Sequence, residues 1–268
     1  FKDVIEATTL VDTEILPTET LRELAEALSL AFTQLPIYSP INLVSHSKLD
    51  EYYSRLMKLA PYDMVIQIKG LAIKLKYALE LFNSGQYEKV KNVVLPIFNS
   101  KLLGTFITPL ELKAILAGAQ NLYVTSCELL DQHQEVISFV DKNSSFSESN
   151  ENLLMYWVTL LSCKSETLNK LGDKLNSKDI ETQIFKKCGS LKDTIKGAKA
   201  LEAGSYHLRD SKRHKNSIPY LKYSLELLKN NNSQNVRELR ADVLYKLALC
   251  QGQTQDYESA ISTCKQLF

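Results

Sequence analysis

Glycine and proline are scarce, 9 and 7 in 268 residues, where an average usage of roughly 7% would place about 19 glycines. The shortage weighs against turn-rich all-β folds and against enzymes that cradle phosphates in glycine loops. Their motifs are missing as well: the chain holds no GxxxxGK[ST], GxGxxG, HExxH, GxSxG or DxDxDG-type loop. The five cysteines, Cys127, Cys163, Cys188, Cys250 and Cys264, are odd in number, scattered and without a CxxC. That pattern points to free thiols in a reducing compartment rather than a disulfide framework or a zinc site. None of His46, His133, His207 and His214 has a second histidine or cysteine three or four residues on, so no metal and no cofactor is expected. Long apolar runs are lacking: the nearest, Met64 to Phe82, is broken by three lysines and a glutamine, and no membrane span is expected. Charge of one sign is lacking too. With 32 Lys+Arg against 31 Asp+Glu, there is no global field to draw in nucleic acid or an anionic membrane.

What the sequence does hold is helical periodicity. Leu21, Leu24, Ala25, Leu28, Ala31, Phe32 and Leu35 form a stripe after Pro17-Thr18, with Thr18 as N-cap and Pro36 as stop. Ser45 or Ser47 is expected to cap a segment ending before Pro61, with His46 in the turn. Asp63 opens a long helix to about Asn83, and Gly85 stands where a left-handed C-terminal cap belongs. Further helices are expected at about Tyr87–Phe98, Leu110–Leu130 behind Thr108-Pro109, Glu135–Val140, Leu153–Cys163, Ile180–Lys187, Leu191–Leu208, Ser217–Leu228, Val236–Gly252 and Tyr257–Leu267. No segment sustains a two-residue alternation, so the chain reads as all-α, its helices joined as antiparallel pairs. The polar stretch 141–152, DKNSSFSESNEN, reads as an exposed loop between helical parts 1–140 and 153–268. Lys229–Asn235 reads as a second loop. The chain begins at Phe1 without a Met and stops at Phe268 inside an amphipathic segment; it is expected to be part of a longer protein.

The order long helix, tight polar turn, shorter helix recurs, which suggests a repeat of about 34 residues. In 241–268, Tyr245, Leu247 and Ala248 precede Tyr257, Ala260 and Cys264 at the spacing of a helix pair. This unit resembles a tetratricopeptide repeat. A second, near 71–98, has Leu75, Tyr77-Ala78 and Leu81, then Tyr87, with Val90 where that family favours alanine. A third, near 198–231, has Leu201, Gly204-Ser205 and Leu208, then Ser217, Leu221 and Ser224, with His214 in place of the second-helix aromatic. The resemblance implies a right-handed α-solenoid acting as a non-catalytic protein–protein scaffold in a larger complex of a eukaryotic cell, in cytoplasm or nucleus. Its chaperone-tail binders grip a carboxylate with inward Lys, Asn and Arg. The matching places here hold Lys199, Glu202 and Tyr206, then Asp242, Tyr245 and Leu249, so that role is not expected. Lys199, Tyr206, Arg209 and Tyr245 are the inward residues expected to meet a protein partner.

Charge is uneven along the chain. Residues 1–60 hold five cations against nine acids, a net −4, whereas 186–215 hold nine cations against three acids, a net +6. Lys192, Lys196 and Lys199 stand at i, i+4, i+7, and Arg209, Lys212, Arg213 and Lys215 crowd the following turn. Read as solvated surface, this stretch needs no partner. Read as a basic patch, it fits an acidic peptide or, as the alternative function, the phosphates of RNA or DNA in a ribonucleoprotein or chromatin complex. A regulatory domain of an enzyme carried elsewhere in a longer chain is a third possibility. Trp157, inside the apolar run 153–158, is expected in the core. The acidic pairs Asp50-Glu51 and Glu148/Glu151 are expected at helix starts or in loops, where they favour the helix dipole, and no catalytic residue is expected.

Overall fold

A computed structural model of the chain describes residues 12–33, 41–98, 110–148, 150–210, 214–231 and 233–267, with side chains at 13, 30–33, 41–45, 146 and 206–210 excepted. Among the described residues there are twelve α-helices and no strand. They are α1 (Thr18–Thr33), α2 (Ile41–Leu59), α3 (Met64–Asn83), α4 (Tyr87–Phe98), α5 (Leu110–Leu129), α6 (His133–Glu148), α7 (Leu154–Lys170), α8 (Lys174–Gly189), α9 (Thr194–Asp210), α10 (His214–Leu228), α11 (Gln234–Gln253) and α12 (Tyr257–Lys265). Consecutive helices pack against one another from α1 to α4 and again from α6 to α12, as expected from the sequence. The chain divides into two compact units, Phe1–Ser126 and Cys127–Phe268.

One turn geometry recurs. In four helix pairs the second residue after the first helix is left-handed: Gly85 (φ 76), Asp131 (φ 55), Gly172 (φ 85) and Gln255 (φ 64). In each, the next amide donates to the carbonyl five residues back at 2.9 Å: Gln86 to Leu81, Gln132 to Cys127, Asp173 to Leu168 and Asp256 to Gln251. The left-handed residue's own amide donates to the carbonyl three residues back, and the two hydrogen bonds together make a Schellman cap, which satisfies carbonyls that the helix end would otherwise leave open. The left-handed residues stand 46, 41 and 83 residues apart, and α9/α10 fills the long interval. The pairs also share a twelve-residue register. Seven residues before and five after the left-handed position stand Ala78 and Val90, Ser165 and Ser177, Ala248 and Ala260. Ser205 and Ser217 keep the same spacing in α9/α10. These residues are small or β-branched because the two helices meet there. Ser165 Oγ lies 2.9 Å from Ser177 Oγ, and Ser217 Oγ donates to Ser205 O at 3.1 Å. The helical repeat is therefore 40–46 residues long, not about 34, and the added length lies in first helices of 17–20 residues.

In the first unit, Leu21, Ala25 and Leu28 of α1 pack with Leu49, Tyr52, Tyr53 and Leu56 of α2 and with Ile66 and Ile73 of α3. The α2–α3 junction is fixed by capping. Asp63 accepts from the Val65 and Ile66 amides, as expected of an N-cap, while the Gln67 side chain donates to Met57 O and Ala60 O at the open end of α2. Two expected starts differ. α1 begins at Thr18 itself, so the cap position falls on Pro17, and α2 begins at Ile41, which places Ser45, His46 and Ser47 inside the helix and buries His46. Asp50 is likewise mid-helix, paired with Lys74 at 2.7 Å.

In the second unit, Trp157 is buried with Leu153, Leu154 and Val158. Most of the expected loop 141–152 is helical. α6 runs to Glu148 because its polar residues find partners without leaving the helix: Asp141 pairs with Lys164 of α7, Asn143 donates to Phe139 O at 2.8 Å, and Ser147 is buried against Ser144 O. The last three expected residues, Glu151 among them, belong mostly to a 3-10 turn, Glu151–Leu153. The second loop is confined to the few residues between α10 and α11.

Candidate functional site

The basic stretch is spread over three helices and the turns between them. Lys186 and Lys187 close α8, where cations favour the helix dipole. Lys192 lies in the turn before α9 rather than on it, so the expected three-lysine face is reduced to Lys196 and Lys199. Lys196 pairs with Glu151 at 3.5 Å. Lys215 is exposed in the first turn of α10, at the far end of α9, a helix about 25 Å long at 1.5 Å per residue. Lys212 and Arg213 lie outside the described residues. Tyr206 and Arg209 belong to α9, and nothing is described of their side chains.

The residues that do come together are on α9 and α11. Lys246 reaches from α11 to Glu202 Oε1 of α9 at 2.5 Å and to Asp242 Oδ2 on its own helix at 2.5 Å. Burial disfavours the Lys246 charge, but hydrogen bonds and attraction from the two carboxylates outweigh it and raise its pKa. The two acids that argued against a carboxylate clamp are therefore matched to an internal cation. Beside this bridge, Tyr245 is 56% exposed and Leu249 41% exposed, one helical turn apart on α11, and Lys199 is exposed on α9. Sequence reasoning named Tyr245 and Lys199, which stand exposed, and did not name Lys246. Its i, i+4 relation to Asp242 was readable, but the link to Glu202, 44 residues away, was not.

Elsewhere the chemistry is quiet. Among the described residues no three His, Cys, Asp or Glu side chains stand close enough to hold a metal ion. Burial pushes the Cys188 thiol up to about 12, and Cys127, Cys163 and Cys250 are also buried, which leaves Cys264 as the exposed thiol. Tyr220, fully buried, accepts from Ser162 Oγ at 3.2 Å. Glu166, nearly buried, accepts from Asn216 at 2.5 Å, and burial together with the Glu166 charge raises the pKa of Glu181 despite Lys178. Open clefts of about 480 Å³ at Asp131–Glu135 and Leu171, about 410 Å³ at Ile137, Lys164 and Ile180, and about 240 Å³ at Arg22, Tyr53 and Asp63 line helix junctions. None brings a serine or cysteine nucleophile to a histidine. Among the described residues no helix is long and apolar enough to cross a membrane.

The fold has a solved counterpart. The chain is similar to a crystal structure described as BtubC (BKLC) from P. vanneervenii, with a TM-score of 0.51 and 12% identity, over 84% of this chain and 87% of that one. At that identity the likeness concerns fold alone. No protein-family profile matches the chain, and no curated protein matches it.

Proposed function

We propose that the chain is a right-handed α-solenoid of tetratricopeptide-like pairs and a non-catalytic scaffold that holds another protein within a larger intracellular complex. The observation that carries this reading is the α9/α11 face, where Tyr245 and Leu249 stand exposed beside the Glu202–Lys246–Asp242 bridge. An exposed tyrosine and leucine on a rigid helix, next to charges already satisfied, offer an apolar anchor without an uncompensated charge, the usual makeup of an interface centre. The recurrent turns and the twelve-residue register support the solenoid part of the reading. The tetratricopeptide family favours a shorter repeat, and the longer first helices are this chain's departure from it.

The test compares partners captured from cell extract by the intact chain and by Tyr245→Ala/Leu249→Ala. A stoichiometric protein partner lost by at least tenfold in the double variant, at unchanged helicity, supports the face. Capture of RNA or DNA instead, with an affinity falling steeply as salt rises, would overturn the reading in favour of phosphate binding by the basic stretch.

A further inference from the structure

The second unit closes one groove between helices with aromatic rings and leaves the preceding one open. Between α8 and α10, the Phe185 ring of α8 lies 5.2 Å, centre to centre, from both Tyr220 and Tyr223 of α10. Tyr223 Oη reaches on to Gly189, where an added Cβ would stand 2.4 Å from it. The twelve-residue register gives the matching places one pair earlier. Tyr220 and Tyr223 stand three and six residues after Ser217, as Ile180 and Gln183 stand after Ser177. Phe185 stands eight residues after Ser177; eight after Val136, the register residue of α6, stands Ser144. None of the three places holds a ring. The cleft of about 410 Å³ opens there, lined by Ile137 of α6, Lys164 and Leu168 of α7, and Asp179, Ile180 and Gln183 of α8. Its lining comes from three consecutive helices in the middle of the unit and from neither end of the chain.

Size and charge decide what fits. A closed apolar cavity of about 150 Å³ takes a benzene ring, so this open cleft has room for one aromatic side chain and part of its neighbour. Leu168 is buried, and Ile137 and Ile180 are half-buried beside it. Lys164 is already matched by Asp141 of α6, whereas the exposed Asp179 has no ion-pair partner among the described residues. The charge left on the cleft is therefore negative. Gln183, exposed at the rim, offers a donor and an acceptor to a main chain. We infer that this cleft docks a short segment of a partner protein in which an aromatic residue stands beside a lysine or arginine, the ring on Leu168 and Ile180 and the cation on Asp179. Phe185, followed by Lys186 and Lys187, is the chain's own example of a ring that closes such a groove. The site is separate from the α9/α11 face and does not rest on it.

The probe is a phage library of random twelve-residue peptides selected on the immobilised intact chain, with enriched sequences remade as fluorescein-labelled peptides and titrated by anisotropy. The enriched sequences are expected to share an aromatic residue next to Lys or Arg. Replacing that aromatic by alanine, or closing the cleft with Gln183→Trp, should weaken binding at least tenfold, while Tyr62→Asp in the first unit and Tyr245→Ala leave it unchanged. Asp179→Lys should weaken it about fivefold, and exchanging the peptide's cation for glutamate should restore the loss, as a matched charge pair requires. Asp179 and Gln183 are both exposed, and circular dichroism checks that the variants keep their helicity. Three outcomes would each overturn the assignment: no peptide enriched, as follows if another part of the chain fills the cleft; enriched peptides without an aromatic beside a cation; or binding indifferent to both Gln183→Trp and Asp179→Lys.

Discussion

The two units bring their helices together by different means at their glycines. In the first, Gly70 of α3 faces Met57 of α2: an added Cβ would lie 2.3 Å from the methionine sulfur, the end of a flexible side chain. In the second, Gly197 of α9 faces backbone, where a Cβ would lie 2.5 Å from Cys188 O and 3.2 Å from Leu227. Gly204 stands between these cases, 2.7 Å from Val158 Cγ1 and 3.2 Å from Ser162 Oγ. At Gly70 the α2–α3 junction is filled by the end of a flexible side chain, whereas at Gly197 helix α9 lies directly on the backbone of α8. Close approach is bought with rigidity: a methionine swings aside, but a carbonyl held in a helix does not.

The largest expected effect breaks this contrast directly. Gly197→Ala should destabilise the second unit by about 2–3 kcal/mol, since a Cβ 2.5 Å from a helix carbonyl puts the overpacking cost at or above the upper end of the usual range of about 1–3 kcal/mol, and the gain in helix propensity of about 1 kcal/mol offsets only part of it. The thermal midpoint would fall by about 4–12 °C. Gly204→Ala should cost less, about 1–2 kcal/mol. Gly70→Ala should be neutral or slightly stabilising, because Met57 moves and the propensity gain remains. Thermal unfolding of the three variants ranks them; a Gly70→Ala as damaging as Gly197→Ala would erase the difference between the units.

Next in size are the charged ties that each unit uses between helices. Lys74 of α3 holds both Asp50 oxygens of α2, at 2.7 and 2.9 Å, and Ser54 Oγ at 3.1 Å. Lys246 divides itself between Glu202 and the half-exposed Asp242. Lys246→Met should cost about 1–2 kcal/mol, between the values for exposed and buried pairs, with most of it from Glu202 and little from Asp242. The sign of its pH dependence follows from a folded-state pKa raised above the unfolded value of about 10.4. The stabilisation is whole below that value and is lost as pH rises through the raised pKa. Denaturant midpoints of wild type and Lys246→Met should therefore differ constantly from pH 7 to about 9.5 and converge in more alkaline solution.

How much of this the sequence discloses depends on how local each cause is. Asp63, Gly85 and Tyr87 act within a few residues, and the helices they bound stand where expected. Residues 141–148 look like a loop because their polarity is local, while what keeps them helical, Lys164 of α7, is 23 residues away. The repeat length misleads for a similar reason. Tetratricopeptide spacing fits inside one pair, but the distance from one pair to the next is set by first helices longer than that family's. On α9 and α11 the register points to the exposed positions Tyr245 and Lys199, but the Glu202–Lys246 tie is seen only once the two helices are side by side.

The smallest effect concerns the turns. Gly85 and Gly172 take positive φ without cost, but Gln255, at φ 64 in the last turn, carries a side chain into a region that penalises L-residues by about 1–2 kcal/mol. Glycine there removes that strain and gives back part of the gain as unfolded-chain entropy. Gln255→Gly should stabilise the second unit by about 0.5–1 kcal/mol. Gly85→Gln in the first unit, where a Cβ meets open space, should lose about as much for the same reason. Neither change alters a packing contact, so denaturant slopes should stay equal while midpoints move in opposite directions. If both variants shift the same way, the shared turn geometry is not what sets stability at these two positions.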